Sequence, residues 1–453
     1  MVPREGVIMA INIVDLNVPG QAHVDSYWAS TAGPEIEGAA PVAGDMEVDI
    51  AIVGGGYTGL STALHLGRKF GLKSHVLEAN RIGWGCSGRN GGFAVLGIGK
   101  TSMAGWIKRW GEAEARRIFD QSGDAVRLVR RLLNDESIDA DATPDGNLEL
   151  AHLPNRMREL ERDQRFLDSK FGVKSRLVDK AELESKYLIS REAHGALLFE
   201  TGFALHAMKY VRGLARAAQR AGAVLHDSSP VQSWARDGKH HVLTTPRGKV
   251  RARQVVIAGN GYTGDRLHPA IEGRLLPALS NIVVTRPLTD AERTALNWTT
   301  TLPISDSRNL LFYYRQLPDR RILFGARGGI EDTADSRAAH RMWLEGRLAD
   351  MFPILKGIET THFWNGWVCV PFDKSPHVNS IEDGTVHYAL GYVGTGVALA
   401  TYCGLLLAHR LAGDDSLRPS PLLAQPLPRF PFPALRRTYQ RAMYAYYELQ
   451  DRH

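Results

Sequence analysis

A strand, a glycine turn and a helix near the amino terminus constrain the fold of this chain more than any other feature. Residues 48–53 read Val-Asp-Ile-Ala-Ile-Val, and the turn Gly54-Gly-Gly-Tyr-Thr-Gly59 follows directly. A helix-like stretch then leads to a second short strand that ends at Glu78. Glycines in such a turn let the backbone approach a pyrophosphate, and the helix amino terminus favours negative charge. The pattern predicts a parallel α/β unit that binds the ADP part of a dinucleotide.

Each residue of this unit has its own predicted role. Gly54 permits the tight turn, Gly56 admits the pyrophosphate, and Gly59 lets the helix pack close to the sheet. Glu78 follows Gly59 by about 20 residues, where a carboxylate accepts hydrogen bonds from the adenosine ribose. A carboxylate there favours FAD or NAD over NADP. The alternative is a glycine-rich turn that binds no ligand.

The composition is typical of a globular protein with more than one domain. The chain has 453 residues, of which 44% are hydrophobic and 23% charged, enough for two or three domains. The net charge of +6 is too small for a nucleic-acid-binding surface but suits an anionic cofactor. We predict no membrane span, because the apolar stretch 391–411 starts with glycines and contains His409 and Arg410.

Three cysteines, Cys86, Cys369 and Cys403, lie far apart in the chain. They form no C-x-x-C motif, so we predict neither a metal site nor a redox-active dithiol. So few cysteines are typical of a reducing compartment, and the amino terminus has no secretory pattern. We therefore expect a cytoplasmic protein.

Hydrophobic periodicity predicts two domains that alternate along the chain. Strand–helix patterns occur near both ends and in the middle, whereas residues 281–330 alternate with the period of two that antiparallel strands show. We predict an α/β protein in which a Rossmann-like domain contains an inserted, mixed antiparallel β-sheet domain. The predicted boundaries are a leader (1–44), the dinucleotide domain (45–105, 196–268 and 357–413), the inserted substrate domain (106–195 and 269–356) and a tail helix (414–453).

A second glycine motif, Gly259-Asn-Gly-Tyr-Thr-Gly264, also follows a strand. It could mark a second nucleotide site, as in enzymes that pass electrons from NADPH to flavin. However, Pro269 comes too early for a phosphate-binding helix, and residues 279–289 contain no acidic residue. We therefore predict that this turn lies against the same cofactor.

Three of these segments together resemble the D-amino-acid-oxidase-type FAD oxidoreductases. They are the βαβ unit, the arm Ser87-Gly-Arg-Asn-Gly-Gly92, and Gly391-Tyr-Val-Gly-Thr-Gly396 before the last long helix. Within that group the chain is similar to the gamma-glutamylputrescine oxidoreductase-like branch. The similarity spans roughly residues 25–412 and is carried by the segments Ser26-Tyr-Trp-Ala29, Leu205-His-Ala-Met-Lys-Tyr-Val-Arg-Gly-Leu214 and Tyr313-Tyr-Arg315.

The resemblance implies a glutathione-reductase-type FAD domain and assigns cofactor contacts by position. Val231 would touch the adenine through its backbone, and Gly394 to Gly396 would direct a helix amino terminus at the flavin pyrimidine. A helix dipole there stabilises negative charge on the flavin. The implied FAD-binding residues are Gly54, Gly56, Tyr57, Thr58, Gly59, Glu78, Ala79, Gly85, Ser87, Arg89, Asn90, Gly91, Gly92, Val231, Gly259, Gly391, Gly394, Thr395 and Gly396.

The implied reaction is FAD-dependent oxidation of a primary or secondary amine by hydride transfer. Substrates of this kind are amino acids, N-alkyl amino acids, gamma-glutamyl polyamines and aminophosphonate-like acids. The imine product would hydrolyse to an aldehyde or keto acid, and O₂ or an external carrier would accept the electrons. The alternatives are a flavin monooxygenase and a flavin-binding electron-transfer subunit, whose partner the basic aromatic tail 434–453 could contact. The sequence does not define the oligomeric state.

Candidate substrate-site residues are His206, Tyr314, Arg315, Arg327 and Trp367. Strand alternation places Tyr313 and Arg315 on one face and Tyr314 on the other. Either arginine could bind a carboxylate or phosphonate, or form a surface ion pair instead. The aromatic residues Tyr313, Tyr314, Trp364 and Trp367 could line the substrate face or fill a core.

Two other kinds of residue have alternative interpretations. His206, His362 and His377 could move protons, but for each a hydrogen-bonded structural histidine is the favoured interpretation. Cys369 could carry flavin covalently, yet its spacing to Asp373 does not fit such a site. We therefore predict non-covalent FAD.

Overall fold

The computed structural model describes residues 17–452, which form ten α-helices and eighteen β-strands. The strands are β1 Met46–Val53, β2 His75–Leu77, β3 Phe93–Ala94, β4 Asn147–Leu150, β5 Ser175–Asp179, β6 Gly195–Phe199, β7 Phe203–Ala204, β8 Val224–His226, β9 Ser233–Asp237, β10 His240–Thr245, β11 Gly248–Ile257, β12 Leu276–Thr285, β13 Ile304–Asp306, β14 Phe312–Gln316, β15 Ile322–Arg327, β16 Thr360–Val370, β17 His377–Ile381 and β18 Val386–Leu390.

The helices connect these strands and cover both sheets. They are α1 Tyr27–Thr31, α2 Tyr57–Phe70, α3 Met103–Asp135, α4 Arg156–Phe171, α5 Lys180–Lys186, α6 Ala207–Arg220, α7 Asp290–Leu296, α8 Ala334–Met351, α9 Gly396–Leu411 and α10 Arg436–Gln450. The long α3 is interrupted at Gly111, whose φ of 83° is not helical.

The first sheet has the strand order β17-β18-β11-β1-β2-β8, with the β9–β10 hairpin added to β11. Its central strands run parallel, with Ala51 opposite both His75 and Val255. Both faces of β1 are covered, so the strand is a continuous apolar run from Ile50 to Ile52. This sheet confirms the predicted Rossmann-like domain.

Helices α2 and α9 cross closely above the first sheet. A Cβ atom at Gly404 of α9 would overlap the Thr58 carbonyl oxygen and the Ser61 side chain of α2. The glycine thus permits a close helix contact, and α9 is buried over nearly its whole length. Among residues 17–452, no helix is long and apolar enough to cross a membrane.

The second sheet has the order β16-β12-β15-β14-β13-β4-β6-β5. Its pairs are antiparallel except β13 with β4, as expected for a mixed antiparallel domain. One face is packed with the apolar side chains of a separate core under α7 and α8. The other face is turned toward the first domain.

Three elements belong to a different domain from the one that the predicted boundaries assign to them. Strands β6 and β16 hydrogen-bond into the second sheet, although the predicted segments 196–268 and 357–413 assign them to the first domain. Helix α3 shares the core of α9 in the first domain, although it begins the predicted insert 106–195. Apolar periodicity identifies a strand but not the sheet that it joins, which explains these differences.

The described part of the predicted leader, residues 17–44, belongs to the first domain. Tyr27 and Trp28 of α1 are buried, and the Trp28 indole donates a hydrogen bond of 2.8 Å to the carbonyl oxygen of Asn90. Ser26 caps α1 by accepting from the Ala29 N–H. The predicted leader residues 1–16 lie outside the described residues.

The tail helix α10 packs against the body of the protein with its polar face. Arg436 is fully buried and forms a two-pronged ion pair with Asp265. The apolar face is exposed instead, with Tyr446 and Leu449 56% and 58% exposed, and Leu435, directly before the helix, is 47% exposed. Amphipathic helices usually bury their apolar face, so α10 is an exception to that rule.

Candidate functional site

A cavity of about 880 Å³ opens at the carboxyl ends of the parallel strands in the first sheet. Val53, Leu77 and Ala258, at the ends of β1, β2 and β11, form its floor. Ligands of open α/β sheets bind at this edge. The cavity is lined by the predicted residues Gly54, Gly56, Tyr57, Thr58, Glu78, Ala79, Gly85, Ser87, Asn90, Val231, Gly259, Gly394 and Gly396.

The first glycine turn and Glu78 form one end of the cavity. Gly54 has a φ of 117°, and a Cβ at this position would overlap the Ala258 backbone. Gly59 does not line the cavity, but a Cβ there would overlap the Gly54 carbonyl oxygen. The close turn therefore requires glycine at both positions, as predicted.

Glu78 is held by backbone groups on both sides. Its carboxylate accepts from the Gly55 N–H at 2.7 Å and from the Asn80 N–H at 3.1 Å. Burial raises the pKa of this carboxyl, whereas the backbone hydrogen bonds lower it. Gly55 is not among the predicted site residues, although the Gly54-Gly-Gly run indicates that the turn has a second tight position.

The arm 86–92 forms the wall of the cavity nearest the second sheet. The Ser87 hydroxyl accepts from the Tyr57 N–H at 2.9 Å, at the start of α2. The Asn90 amide donates to the carbonyl oxygens of Cys86 and Ser87, both at 3.0 Å. These bonds fix the arm against the amino terminus of α2, where a pyrophosphate would lie.

Arg89 lies behind this wall rather than in the cavity. Its guanidinium carbon is 4.1 Å from the centroid of the Trp84 ring, and its Nε donates to the Trp84 carbonyl oxygen at 2.7 Å. Its Nη2 atom is buried and has no hydrogen-bond partner in the described residues. Gly91 and Gly92 also lie outside the cavity lining, beside Tyr313 and Leu205.

The second glycine motif lines the same cavity as the first. Gly259, Asn260, Tyr262 and Gly264 all contact it, next to Gly54. The motif contains a short 3₁₀ turn and no α-helix of its own. Along the described chain, this motif therefore does not form a separate nucleotide cleft of the kind that a flavin monooxygenase needs for NADPH.

The turn 391–396 closes the far end of the cavity. Gly394 and Gly396 line it, together with Tyr392, whose hydroxyl lies 2.7 Å from the Thr58 hydroxyl. Gly391 and Thr395 point away and brace the turn. The Gly391 N–H donates to the Asn260 side chain at 2.8 Å, and the Thr395 hydroxyl donates to the Tyr392 carbonyl oxygen at 2.9 Å.

Several residues that line the cavity were not predicted from the sequence. Asn260, Tyr262 and Tyr392 lie inside the glycine segments 259–264 and 391–396, so their position next to predicted cofactor residues could have identified them. Trp84 and Val368 lie outside them and are brought in by tertiary packing. The residues concerned are Trp84, Asn260, Tyr262, Thr263, Arg266, Val368 and Tyr392.

One face of the second sheet lies over the arm 86–92 that forms the cavity wall. Register pairs Tyr313 with Gly325 and Ser280 with Arg327, so these side chains share a face. The Tyr313 ring lies flat on Gly325 and next to Gly91, since a Cβ at either glycine would overlap it. Its hydroxyl is 2.7 Å from the Ser280 hydroxyl.

The two candidate arginines reach different places from that face. Arg327 donates from Nη2 to the Val393 carbonyl oxygen at 2.8 Å, directly beside the cavity-lining Gly394. Arg315 is deeply buried and donates to the Leu205 carbonyl oxygen at 2.7 Å, under Trp28. Burial lowers the pKa of both, that of Arg315 to about 10. Only Arg327 of this pair is next to the cavity.

The remaining candidate substrate-site residues do not line the cavity. Tyr314 faces the opposite side of the sheet, in the core with Trp298 and Phe352. Trp367 is also on that opposite face, 5.2 Å from the guanidinium carbon of Arg437. Both residues therefore pack in the interior and do not line a substrate site, because the alternation of side chains along each strand turns them away from the first domain.

His206 is a hydrogen-bonded helix cap. Its Nδ1 accepts from the Lys209 N–H at 3.2 Å, so Nε2 carries the proton and donates to the Thr31 hydroxyl at 2.9 Å. Burial, aided by nearby cations, lowers its pKa to about 3. His377 is held in a similar way by the Gln425 carbonyl oxygen and the Asp373 carboxylate. The structural interpretation therefore fits both histidines.

Two of the cysteines lie in different surroundings. Cys86 lines the cavity, whereas Cys369 is fully buried in an apolar cluster on the far side of β16. Burial raises the pKa of Cys86 to about 11 and that of Cys369 to about 12. Both remain thiols at neutral pH, which disfavours a covalent flavin link.

Comparison with known proteins agrees with this geometry. The chain is 31% identical over 440 residues to gamma-glutamylputrescine oxidoreductase of Escherichia coli (strain K12), covering 95% of this chain and 99% of that one. It is 25% identical to the sarcosine oxidase subunit beta of Rhodobacter capsulatus, covering 77% and 80% of the two chains. Glycine oxidase from Geobacillus kaustophilus has the same fold, with a TM-score of 0.68 and 22% identity over 85% of this chain and 99% of the other.

These relatives are named for reactions of amines and amino acids. The family model described as FAD dependent oxidoreductase matches residues 49–410, which include the whole glycine turn and the 391–396 turn. The matched range ends before α10. The cavity also has the parts that FAD needs: a glycine cradle at a helix amino terminus and a buried carboxyl at the end of β2. The chain therefore belongs to the DAO family of FAD-dependent oxidoreductases.

Proposed function

We propose that this chain oxidises a small primary or secondary amine that carries an acidic group. The observation that carries this proposal is the position of Arg327. Its guanidinium lies beside Gly394 on the sheet face over the cavity and hydrogen-bonds a neutral carbonyl oxygen. An arginine so placed can still offer N–H groups to a carboxylate or phosphonate.

The charge state of Arg327 supports an anionic ligand. Burial lowers the pKa of its guanidinium, so the protonated form is less well solvated than in water. Within residues 17–452, no carboxylate lies within ion-pair distance of it. A bound acid would supply the missing counter-charge and would orient the amine relative to the cavity.

Bound FAD would supply the hydride acceptor for a C–H bond next to nitrogen. The residues of the chain would then orient the substrate and exclude water. Tyr313 would form an apolar wall over the site, because its ring is held flat between Gly91 and Gly325. Cys86 and Asn90 would contact the cofactor side of the same space.

The proposal is tested by mixing the flavin-loaded protein with amines in the absence of oxygen. The panel pairs each acid-bearing amine with an alkyl amine of equal length. Arg327→Met should slow flavin bleaching by acid-bearing amines at least tenfold and leave the alkyl amines nearly unaffected. Arg320→Met, at an exposed arginine paired with Asp290, is the matched control. Equal slowing of both amine classes would contradict the role of Arg327.

A second candidate is a catalytic subunit that needs another polypeptide. The exposed apolar side chains of α10 favour it, since Leu435, Tyr446 and Leu449 lie on one outward face. One relative is itself named as a subunit. Turnover by the purified chain alone, with a simple electron acceptor, would exclude this candidate. Turnover only after a second polypeptide is added would support it.

A further inference from the structure

Three cationic side chains meet at the turn that closes the cavity. The backbone N–H of Lys100 donates to the backbone carbonyl oxygen of Lys374 at 3.0 Å, so the two lysines lie on neighbouring backbone segments. Arg327 reaches the same place through its bond to the Val393 carbonyl oxygen. The Gly99 N–H, next to Lys100, donates to the Thr395 hydroxyl at 3.4 Å, which brings Lys100 to the same turn. In agreement with this geometry, the charges of Arg327 and Lys374 lower the pKa of Lys100.

Each of the three cations hydrogen-bonds a neutral oxygen. The Lys100 ammonium donates to the Asn309 carbonyl oxygen at 2.6 Å, and the Lys374 ammonium donates to the Tyr447 hydroxyl at 3.0 Å. In the part of the chain that the structure describes, none of them has a carboxylate within 4.0 Å. Their positive charge is therefore not balanced locally.

Asp451 is an acidic residue whose charge acts on Lys100. Its charge raises the pKa of Lys100, but its carboxylate accepts from the Asn309 and Leu310 backbone N–H groups at 2.8 and 3.0 Å. Those hydrogen bonds hold it at the loop and away from the lysine. Glu192 and Glu448 line a cavity that Arg327 reaches, but within residues 17–452 no carboxylate lies within 4.0 Å of Arg327, Lys100 or Lys374.

Helix α10 covers the cluster. The Tyr447 ring has the Lys100 ammonium 5.3 Å and the Lys374 ammonium 5.6 Å from its centroid, within range of a cation–π interaction. Tyr444, one turn earlier, lines a second cavity of about 640 Å³ together with Arg327. This helix lies beyond the residues that the family model matches.

We propose that Lys100, Lys374 and Arg327, covered by Tyr447 and Tyr444 of α10, bind the oxyanion of the substrate's acidic group. The ligand class is an amine whose remote end is a carboxylate or a phosphonate. The proposal rests on the proposed amine oxidation and adds the residues that select the acid. The C-terminal helix then helps to determine substrate specificity.

The pKa of Lys100 agrees with this role. Burial, the largest cause, lowers it to about 8. A bound oxyanion would raise it again, because a nearby negative charge favours the ammonium form. A phosphonate dianion would neutralise more of the cluster than a carboxylate and should bind more tightly at equal chain length.

Two variants test the site in the flavin-loaded, full-length protein. Lys374→Met removes one cation but keeps the length of the side chain, and Tyr447→Phe removes only its hydroxyl acceptor. Tyr446→Phe is the matched control, since Tyr446 is the neighbouring tyrosine on the exposed face of α10. We expect K374M to raise the KM for acid-bearing amines at least tenfold and Y447F to raise it severalfold. Neither variant should change the KM for alkyl amines, and Y446F should match the unaltered protein.

A second readout does not depend on turnover. Inorganic phosphate and acetate are titrated into the oxidised, flavin-loaded protein by calorimetry, so that the dinucleotide site is already filled. We expect phosphate to bind more tightly than acetate, with at least a tenfold loss in affinity in K374M and in Lys100→Met. If no amine bleaches the flavin but phosphate still binds in this way, the oxyanion site stands and the proposed reaction fails.

Two outcomes would overturn the inference. One is phosphate binding that is absent in the unaltered protein or equal in K374M. The other is a KM that rises equally for acid-bearing and alkyl amines. Normal flavin content and unchanged melting temperature in the variants show that the comparison concerns folded protein.

Discussion

Nη2 of Arg327 donates a 2.8 Å hydrogen bond to the carbonyl oxygen of Val393, which joins the second sheet to the turn that closes the cavity. Val393 has a φ of 51°, and the following Gly394 has a φ of 93°. The guanidinium occupies the space beside Gly394 that a side chain would otherwise fill. One contact thus couples the cofactor cavity to the residue that we assign to the substrate's acid.

Gly394→Ala should therefore displace Arg327. The added Cβ would overlap Nη2, and the left-handed backbone costs a further 1–2 kcal/mol, roughly, for an L-residue. We expect the KM for acid-bearing amines to rise more than tenfold. Gly413→Ala is the control for backbone strain alone, since Gly413 has a φ of 70° and no neighbour within 4 Å of its Cβ position. Equal kinetics in the two variants would argue against the role of Arg327.

Glu78→Gln should weaken FAD binding. The amide loses the negative charge that strengthens the hydrogen bond from Gly55 and that would accept from the ribose. We expect FAD affinity to fall roughly tenfold, as for the loss of one charged hydrogen bond. The measurement is the recovery of FAD fluorescence on dilution. Glu47→Gln, at an exposed position on the same β1 unit, should keep the original affinity.

His206→Asn should make stability less sensitive to acid. The folded pKa of His206 is about 3, below its ordinary value of 6.5, so the unfolded chain binds the proton more readily between these values. The unaltered protein therefore loses about 1.4 kcal/mol of stability per pH unit below 6.5 through this group. Asparagine can still cap α6. In urea unfolding at pH 7 and pH 5.5, the variant should be less stable at pH 7, and this deficit should narrow at pH 5.5. A constant deficit would show that the pKa of His206 in the fold does not differ from its value in the unfolded chain.

The flavin should leave the protein on denaturation in acid. Cys86 lines the cavity and Cys369 does not, and burial keeps both as thiols at neutral pH. We expect the yellow colour in the supernatant and a colourless pellet. Colour in the pellet would indicate a covalent link, and Cys86→Ser would then identify whether the cavity cysteine carries it.

The fold and the adenosine end of the site were predictable from local sequence. A βαβ unit places Gly54, Gly59 and Glu78 by its own geometry, because the turn and the two strand ends are close in the chain. The second glycine motif could be assigned to the same cavity for a similar reason, since Pro269 excludes a long helix there.

The substrate end depends on contacts between distant segments. The sequence offers several side chains suited to substrate binding, among them Tyr313, Arg315 and Trp367. The register of the strands in the second sheet decides which of them faces the first domain. The alternation of side chains along a strand correctly predicted that Tyr313 and Tyr314 lie on opposite faces of the sheet. It could not show that Arg315 ends at Leu205 whereas Arg327 reaches Val393.

The C-terminal helix is where sequence pattern was least informative. The sequence predicts a tail helix, but the face that packs against the protein is the polar one, through the buried pair of Arg436 and Asp265. The role proposed for Tyr447 depends on Lys100 and Lys374, which lie more than 70 residues away in the chain. No local signal connects these residues.

The most direct test of the account is anaerobic mixing of the purified, flavin-loaded chain with matched amines that do or do not carry an acid. We predict rapid loss of the visible flavin absorbance with at least one acid-bearing amine, a much slower loss with its alkyl counterpart, and a selective defect in R327M. A flavin that keeps its colour with every amine tested would contradict the account.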